Sequence, residues 1–338
     1  MIQFLRTFWF SLSASLLVII VCLVRLGAEA LAPLVTLMVI EVTFSFDNAV
    51  VNAKVLKKMS PLWQKLFLSV GILVAIFGMR LVFPIAIVAL TAHLPWREVL
   101  DLALNNPLAY AHNLEIAHPT ITAFGGSFLM MLALHFFMAE NKGIHWIDTI
   151  ERPLQQLNKW WMPGLITAAM VGIVAVAPFN HHPVDTIMSG GLGLLTYILI
   201  HGLTIYIGKR TETTSKLAHY TGWAAFVMFM YLELLDASFS LDGVLGAFAI
   251  TDDVILITAG LGIGAVWVRS MTVSMVRNGT LDAYRFLEHG AHYAIFVLAS
   301  VMLFAAWYEV PEALTGIMGV GLIIASVFSS NRFKSQKA

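Results

Sequence analysis

The chain predicts an all-α polytopic transmembrane helical bundle of about ten spans. Three observations carry that prediction. Apolar residues make up 59% of the chain and charged residues 12%, with a mean hydropathy of +0.82; a soluble globular chain carries about 25% charged residues. Apolar runs of about twenty residues recur from end to end, the length that crosses a bilayer as a helix. Two stretches, EVTFSFDNAV at 41–50 and DASFSLDGVL at 236–245, look like copies of each other, and each sits inside an apolar segment. Copied intramembrane acids mark an inverted-repeat architecture with a cation site between the repeats.

The predicted spans are 8–26, 30–53, 66–92, 122–139, 163–179, 187–208, 219–247, 253–275, 288–308 and 312–330. They form a single integral membrane domain over 1–338, with 30–92 as the first repeat core and 219–275 as the second. The first span follows Arg6 and ends before Ala28 and Ala30, a pattern also compatible with a cleaved signal peptide. A retained first helix is preferred because the second segment begins almost at once and an even span count orders the charges. Lys54, Lys57, Lys58 and Lys65 follow the second span, and Lys142, Arg152 and Lys159 follow the fourth. Lys209, Arg210 and Lys216 follow the sixth, Arg277 and Arg285 the eighth, and Arg332, Lys334 and Lys337 the tenth. The opposite loops hold little positive charge beyond Arg25 and Arg97. The positive-inside rule then places both termini in the cytoplasm, and the expected location is the inner (cytoplasmic) membrane, multi-pass.

Residues 93–121 read as the longest outer segment, with a short amphipathic helix over HLPWREVLDLALNN and a polar turn at NNP. Residues 144–161 read as an interfacial helix, with Trp146, Trp160 and Trp161 suited to the headgroup level. Net charge is zero and no basic stripe is present, so nothing points to nucleic acid. Cys22 is the only cysteine, which excludes an internal disulfide and a thiolate cluster.

Aligned without gaps, the two motifs pair Glu41 with Asp236, Ser45 with Ser240 and Asp47 with Asp242. The orientation rule makes the two motif helices antiparallel, so a midplane crossing sets Glu41 beside Asp242 and Asp47 beside Asp236. Glu233 adds a fifth acid on the face of Asp236, about 4.5 Å along the helix. Each midplane carboxylate costs about 2.5–3.5 kcal/mol to insert, so the group calls for a compensating cation or protons. Asn48 and Gly243 follow the second acid of each copy, and both types tolerate left-handed backbone. A helix break is expected there, with Ser45 and Ser240 satisfying the loosened backbone. Hard oxygen donors favour Mn²⁺, Ca²⁺ or Mg²⁺ over Cu⁺ or Zn²⁺. Crowded carboxylates can also exchange protons for metal. The competing reading makes the acids structural, paired with Arg80 and Arg269.

Other polar residues carry weaker signals. His289 and His292, with Glu288, share a helical face and can be read as a metal or proton site, or as boundary residues hydrogen-bonded in the bundle. His135, His201 and Asp282 lie near span ends, where boundary polarity explains them. Lys54 reads as a snorkelling residue. The glycines of GLGIGA, 260–265, favour close helix packing, since the segment lies inside a span and is no phosphate loop.

EVTFSFDNAVV resembles the signature of the TerC-like integral membrane family, of the wider LysE superfamily. FGMRLVFP at 77–84, HPTITAFGGSFLMM at 118–131, ELLDASFSLDGVLGAFAIT at 233–251 and RNGTLDAYRFLEHGAHYAI at 277–295 resemble a branch of it labelled a domain of unknown function. The resemblance implies a metal-ion exporter fold, linked to manganese efflux and tellurium resistance. It implies Glu41, Asp47 and Asn48 as metal residues in the first copy, and Asp236, Asp242 and Glu233 in the second. Gly243 stands where that pattern has Asn and Asp236 where it has Glu. The expected substrate is a divalent cation, Mn²⁺ first, with protons as counter-ion and no organic cofactor. The expected class is a transporter and not an enzyme. The alternatives are a membrane-embedded metalloenzyme, which lacks a serine elbow or HExxH motif here, and an accessory subunit of a metal-stress complex.

Overall fold

The structure, a computed structural model, describes residues 2–140, 142–212, 220–305 and 310–335; the side chains of 2–6, 207–212, 241, 242, 245, 312 and 313 are outside the description. All regular elements of the described residues are helical. They run α1 (Ile2–Leu26), α2 (Leu31–Phe44), α3 (Phe46–Leu56), α4 (Pro61–Leu73), a π-helical stretch (Val74–Val82), α5 (Phe83–Thr91), α6 (Trp96–Asn105), α7 (Pro107–Phe137) and α8 (Asp148–Gln156). After these come α9 (Met162–Val176), α10 (Pro183–Glu212), α11 (Gly222–Ala247), α12 (Val254–Arg277), α13 (Thr280–Ala283), α14 (Leu287–Phe304) and α15 (Glu312–Ser335).

Among the described residues, 8 helices are long and apolar enough to cross a membrane, or 9 if the bent pair α2–α3 counts as one span. The protein is therefore an all-α, multi-pass membrane protein. Each of the ten predicted segments holds a helix among its described residues, but α9 has only 15 residues and falls short of a full crossing. Lys216 and Lys337, used in the charge argument, lie outside the described residues.

Three local expectations are corrected. Residues 107–121 are not an outer loop: Pro107 starts a helix of 31 residues that continues into the fourth predicted span. Proline is tolerated at that first position because its missing N–H would have no intrahelical partner. The break in the first motif falls at Ser45, three residues before Asn48, where the axis bends by 53°. In the second motif α11 runs unbroken through Gly243 to Ala247.

The chain divides into two compact units, Met1–His118 with Phe229–Asn278, and Pro119–Met228 with Gly279–Ala338. Both predicted repeat cores fall in the first unit, except residues 219–228. Its centre is α12, which is buried along most of its length and packs against α1, α2, α3, α4 and the π-helical stretch. A helix apolar on every side is stable only in such a position. Glycine permits the closest approaches. A side chain at Gly264 would collide with Cβ of Glu41 and stand 3.1 Å from the Met38 carbonyl, and one at Gly260 would stand 2.7 Å from Cβ of Leu37. On the other side, α1 is held by polar contacts: Ser11 Oγ and Ser270 Oγ are 2.7 Å apart, and Trp267 Nε1 donates to Ser15 Oγ at 2.9 Å.

The second unit pairs α9 with α10 and α14 with α15. Behind α14, Glu151 of α8 is fully buried and accepts the backbone N–H groups of Trp146 and Ile147 at 3.1 and 3.2 Å. Lys142 Nζ stands 2.7 Å from the same carboxylate and 4.1 Å from the centre of the Phe136 ring. Burial pushes the Lys142 ammonium below its ordinary value, while Glu151 pulls it back up. The segment 144–161, read from sequence as interfacial, is held at Glu151 by this buried ion pair; Trp146 meets Tyr293 with ring centres 5.7 Å apart, and Trp160 is 88% exposed.

Candidate functional site

The site lies in the first unit, where the bend at Ser45 turns the start of α3 inward. Ser45 has φ −93 and ψ 17, neither helix nor strand, and its N–H still bonds the Glu41 carbonyl at 3.0 Å. Asp47 opens α3 and accepts the Asn48 backbone N–H at 2.8 Å, as a carboxylate suits a helix N-terminus. It is 5% exposed and has no ion-pair partner among the described residues. Beside it, Asn48 Nδ2 donates to Asp236 Oδ1 at 2.7 Å.

At the other end of the motif, a side chain at Gly243 would stand 3.8 Å from Glu41 Oε2. Rising numbers on α2–α3 therefore meet falling numbers on α11: 41 faces 243, and 48 faces 236. The two motif segments run antiparallel past one another, as their charge-derived orientation predicts. The Asp242 side chain, predicted to face Glu41, lies outside the described residues.

Two buried arginines hold the carboxylates. Arg80, 2% exposed, comes from the π-helical stretch and pairs with Glu41 Oε1, which also accepts Ser45 Oγ at 3.0 Å. The wider turn of that stretch lets Arg80 Nη1 donate to the Ala75 carbonyl at 2.7 Å. Such wide turns inside α-helices are frequent at functional positions. Arg269, also 2% exposed, grips Glu233 with both terminal nitrogens at 2.9 and 2.8 Å and Asp236 at 2.9 Å. It donates further to the Phe67 carbonyl at 3.1 Å, with its guanidinium 4.3 Å from the Phe67 ring centre. Gly71 leaves the room for this fork, since a side chain there would collide with Arg269 and stand 2.8 Å from Glu233 Oε1.

The arginine pairings are those of the structural reading of the sequence. They do not balance the site. Glu41, Asp47, Glu233 and Asp236 are buried carboxylates, and Arg80 and Arg269 are the buried guanidinium groups among the described residues. Three neutral oxygens are buried without a hydrogen-bond partner: Asn48 Oδ1, Asn52 Oδ1 and Ser240 Oγ. Buried polar atoms are normally satisfied, so such atoms call for a water or an ion. Asn52 escaped the sequence reading. It stands one helical turn after Asn48, a second amide on the same face of an apolar helix, and that spacing was the available signal. No three carboxylates or imidazoles among the described residues already converge as a ligand set.

His289 and His292 belong to the second unit and are engaged there. His289 Nε2 donates to the Ile144 carbonyl at 2.9 Å and lies 3.4 Å from Glu151. His292 Nδ1 donates to the Glu288 carbonyl at 2.8 Å, and its ring stacks on Phe136 at 3.7 Å. These are the contacts of residues hydrogen-bonded within the bundle, the second of the two readings of Glu288, His289 and His292.

Fold and site together define a multi-pass helical membrane protein with an acid and arginine cluster buried between antiparallel motif segments. The chain belongs to the family described as protein of unknown function (DUF475), whose model matches residues 46–337. No curated protein and no solved structure matches the chain.

One substitution tests the geometry of the arginine fork. Gly71→Ala is expected to lose about 1–3 kcal/mol, because the added methyl forces the Arg269–Glu233 pair apart. Gly243→Ala, with 3.8 Å of clearance to Glu41, is expected to unfold like the parent protein. Thermal unfolding of the two variants in the same detergent checks both.

Proposed function

We propose that the protein is a divalent-cation transporter whose substrate passes through the acid cluster, Mn²⁺ first, and that protons move in exchange. One observation carries the reading: among the described residues of this unit, four carboxylates and two arginines are buried, beside three unpartnered neutral oxygens. Two carboxylates in excess can be neutralised by one divalent ion or by two protons, and alternation between those states is proton-coupled exchange. Asn48, Asn52 and Ser240 supply the additional hard oxygen donors that Mn²⁺, Ca²⁺ or Mg²⁺ prefers. In this reading Arg80 and Arg269 stand in for the cation when it is absent.

Export, manganese as the physiological ion, a link to tellurium resistance and a place in the TerC-like and LysE groups rest on the sequence resemblance. So does the assignment to the inner membrane with both termini cytoplasmic, which rests also on the lysine and arginine asymmetry. The duplicated motif suits alternating access, in which a midplane site is exposed to each side in turn. A second reading is favoured by the arginine pairs themselves: the cluster is a fixed ion-pair network that fastens α2 to the π-helical stretch and α11 to α12 and carries no ion.

Flux in proteoliposomes separates the two. Purified protein is reconstituted with a pH indicator inside, and Mn²⁺, Ca²⁺ and Mg²⁺ are tested in parallel. The expected result is Mn²⁺ flux with opposed proton movement, abolished in Asp47→Asn and Asp242→Asn. Absence of flux for all three ions with well-folded protein supports the fixed network. Undiminished flux in both variants means that the ion follows another path.

A further inference from the structure

A second pair of chemistry-bearing side chains meets in the other unit. His135 of α7 and His201 of α10 face each other with ring centres 4.0 Å apart and planes inclined by 57°. Neither position drew attention in the sequence beyond its place near a span end. The two helices are brought into register by contacts that rise together. Gly193 packs on the Phe124 carbonyl, Tyr197 meets Phe128 at 5.5 Å, and His201 meets His135 one turn further along α10 and two turns further along α7. Tyr197, 2% exposed, stacks on His201 with an interplanar angle of 12° and backs the pair.

Neither imidazole has a hydrogen bond to any described residue, and His135 Nδ1 is buried without a partner. An unpartnered ring nitrogen inside an apolar segment is unfavourable unless a hydrogen-bond partner or a metal ion satisfies it. Two such rings in contact cannot both become imidazolium at low cost, because like charges at this spacing repel. A metal ion satisfies both without that penalty. Neutral imidazole suits borderline divalent ions of the zinc and nickel type, which hard oxygen sites do not select. An ion bound by two imidazoles lies about 2.0–2.1 Å from each nitrogen. A ring centre lies about 1.1 Å beyond its nitrogen, so a shared tetrahedral ion needs centres about 5 Å apart, and the two rings must part by about 1 Å to hold one. His201 is only partly buried, and water would complete the coordination of an ion held by two imidazoles.

We propose that His135 and His201 form a second cation site, of imidazole type, for a borderline divalent metal such as Zn²⁺. It differs in chemistry from the carboxylate cluster and draws none of its ligands from it. Whether Mn²⁺ passes through the acid site does not bear on it.

The test uses full-length protein without a histidine tag, in detergent, titrated with Zn²⁺ by calorimetry. His135→Phe/His201→Phe keeps ring stacking and removes the nitrogens. The expected result is that this variant loses one Zn²⁺ equivalent that Asp47→Asn retains. Identical Zn²⁺ isotherms for wild type and the folded double variant overturn the proposal. If the variant does not fold, the wild type decides: Zn²⁺ should protect His135 and His201 from diethyl pyrocarbonate, read by peptide mass spectrometry. Equal modification with and without Zn²⁺ overturns the proposal as well.

Discussion

Arg269→Leu is expected to destabilise the protein by about 3–5 kcal/mol, the largest effect of any single substitution considered. The guanidinium makes four hydrogen bonds, two to Glu233, one to Asp236 and one to the Phe67 carbonyl. Leucine fills much of the space but leaves both carboxylates buried without their ion-pair partner. The loss comes mainly from those orphaned charges and less from the pair's own attraction, because desolvation offsets most of that attraction. Removing the charges should therefore restore stability. Glu233→Gln combined with Arg269→Leu is expected to unfold at a higher temperature than Arg269→Leu alone. Thermal unfolding and the monodisperse fraction on gel filtration check both variants. An Arg269→Leu protein as stable as wild type would mean that the fork contributes nothing.

Arg80→Gln separates an ion-carrying cluster from a fixed one. Arg80 holds Glu41 from a π-helical stretch, and its removal leaves the carboxylate with Ser45 as its remaining hydrogen-bond partner among the described residues. Without metal the variant is expected to melt well below wild type. If Arg80 stands in for the cation, its removal also frees a ligand. A ligand that binds only the folded state at a hundred times its dissociation constant adds about 2.7 kcal/mol. Added Mn²⁺ should then raise the melting temperature of Arg80→Gln by more than that of wild type. A fixed network predicts the same metal-free loss and no recovery with Mn²⁺. Melting curves at a series of Mn²⁺ concentrations distinguish the two.

Much of this arrangement was legible in the sequence because membranes impose severe rules. The apolar runs located every long helix, since a spanning segment must satisfy its own backbone. The motif pairing and the asymmetry of lysine and arginine gave the antiparallel arrangement, with Asn48 meeting Asp236 one residue from the expected Asp47. Arg80 and Arg269 stood out because deep arginines need partners. Other features depend on information that hydropathy does not carry. The bend at Ser45 and the π-helical turn at Arg80 leave the apolar pattern unchanged. Residues 107–121 contain Asn113, Glu115 and His118 and resemble a loop in composition, yet they extend a helix begun by Pro107. The meeting of His135 and His201 depends on the register of α7 against α10, set by a glycine and an aromatic pair in three dimensions. Asn52 was within reach, as the second amide on one face of α3.

The central claim is that the acid cluster binds one divalent cation. The most direct test titrates purified protein with Mn²⁺ and follows free aqueous Mn²⁺ by electron paramagnetic resonance. The prediction is saturable loss of the free-ion signal at one Mn²⁺ per chain, abolished in Asp47→Asn and in Asp236→Asn with helicity unchanged. Titration lines for the wild type that coincide with protein-free buffer, or binding that survives in both folded variants, would contradict it.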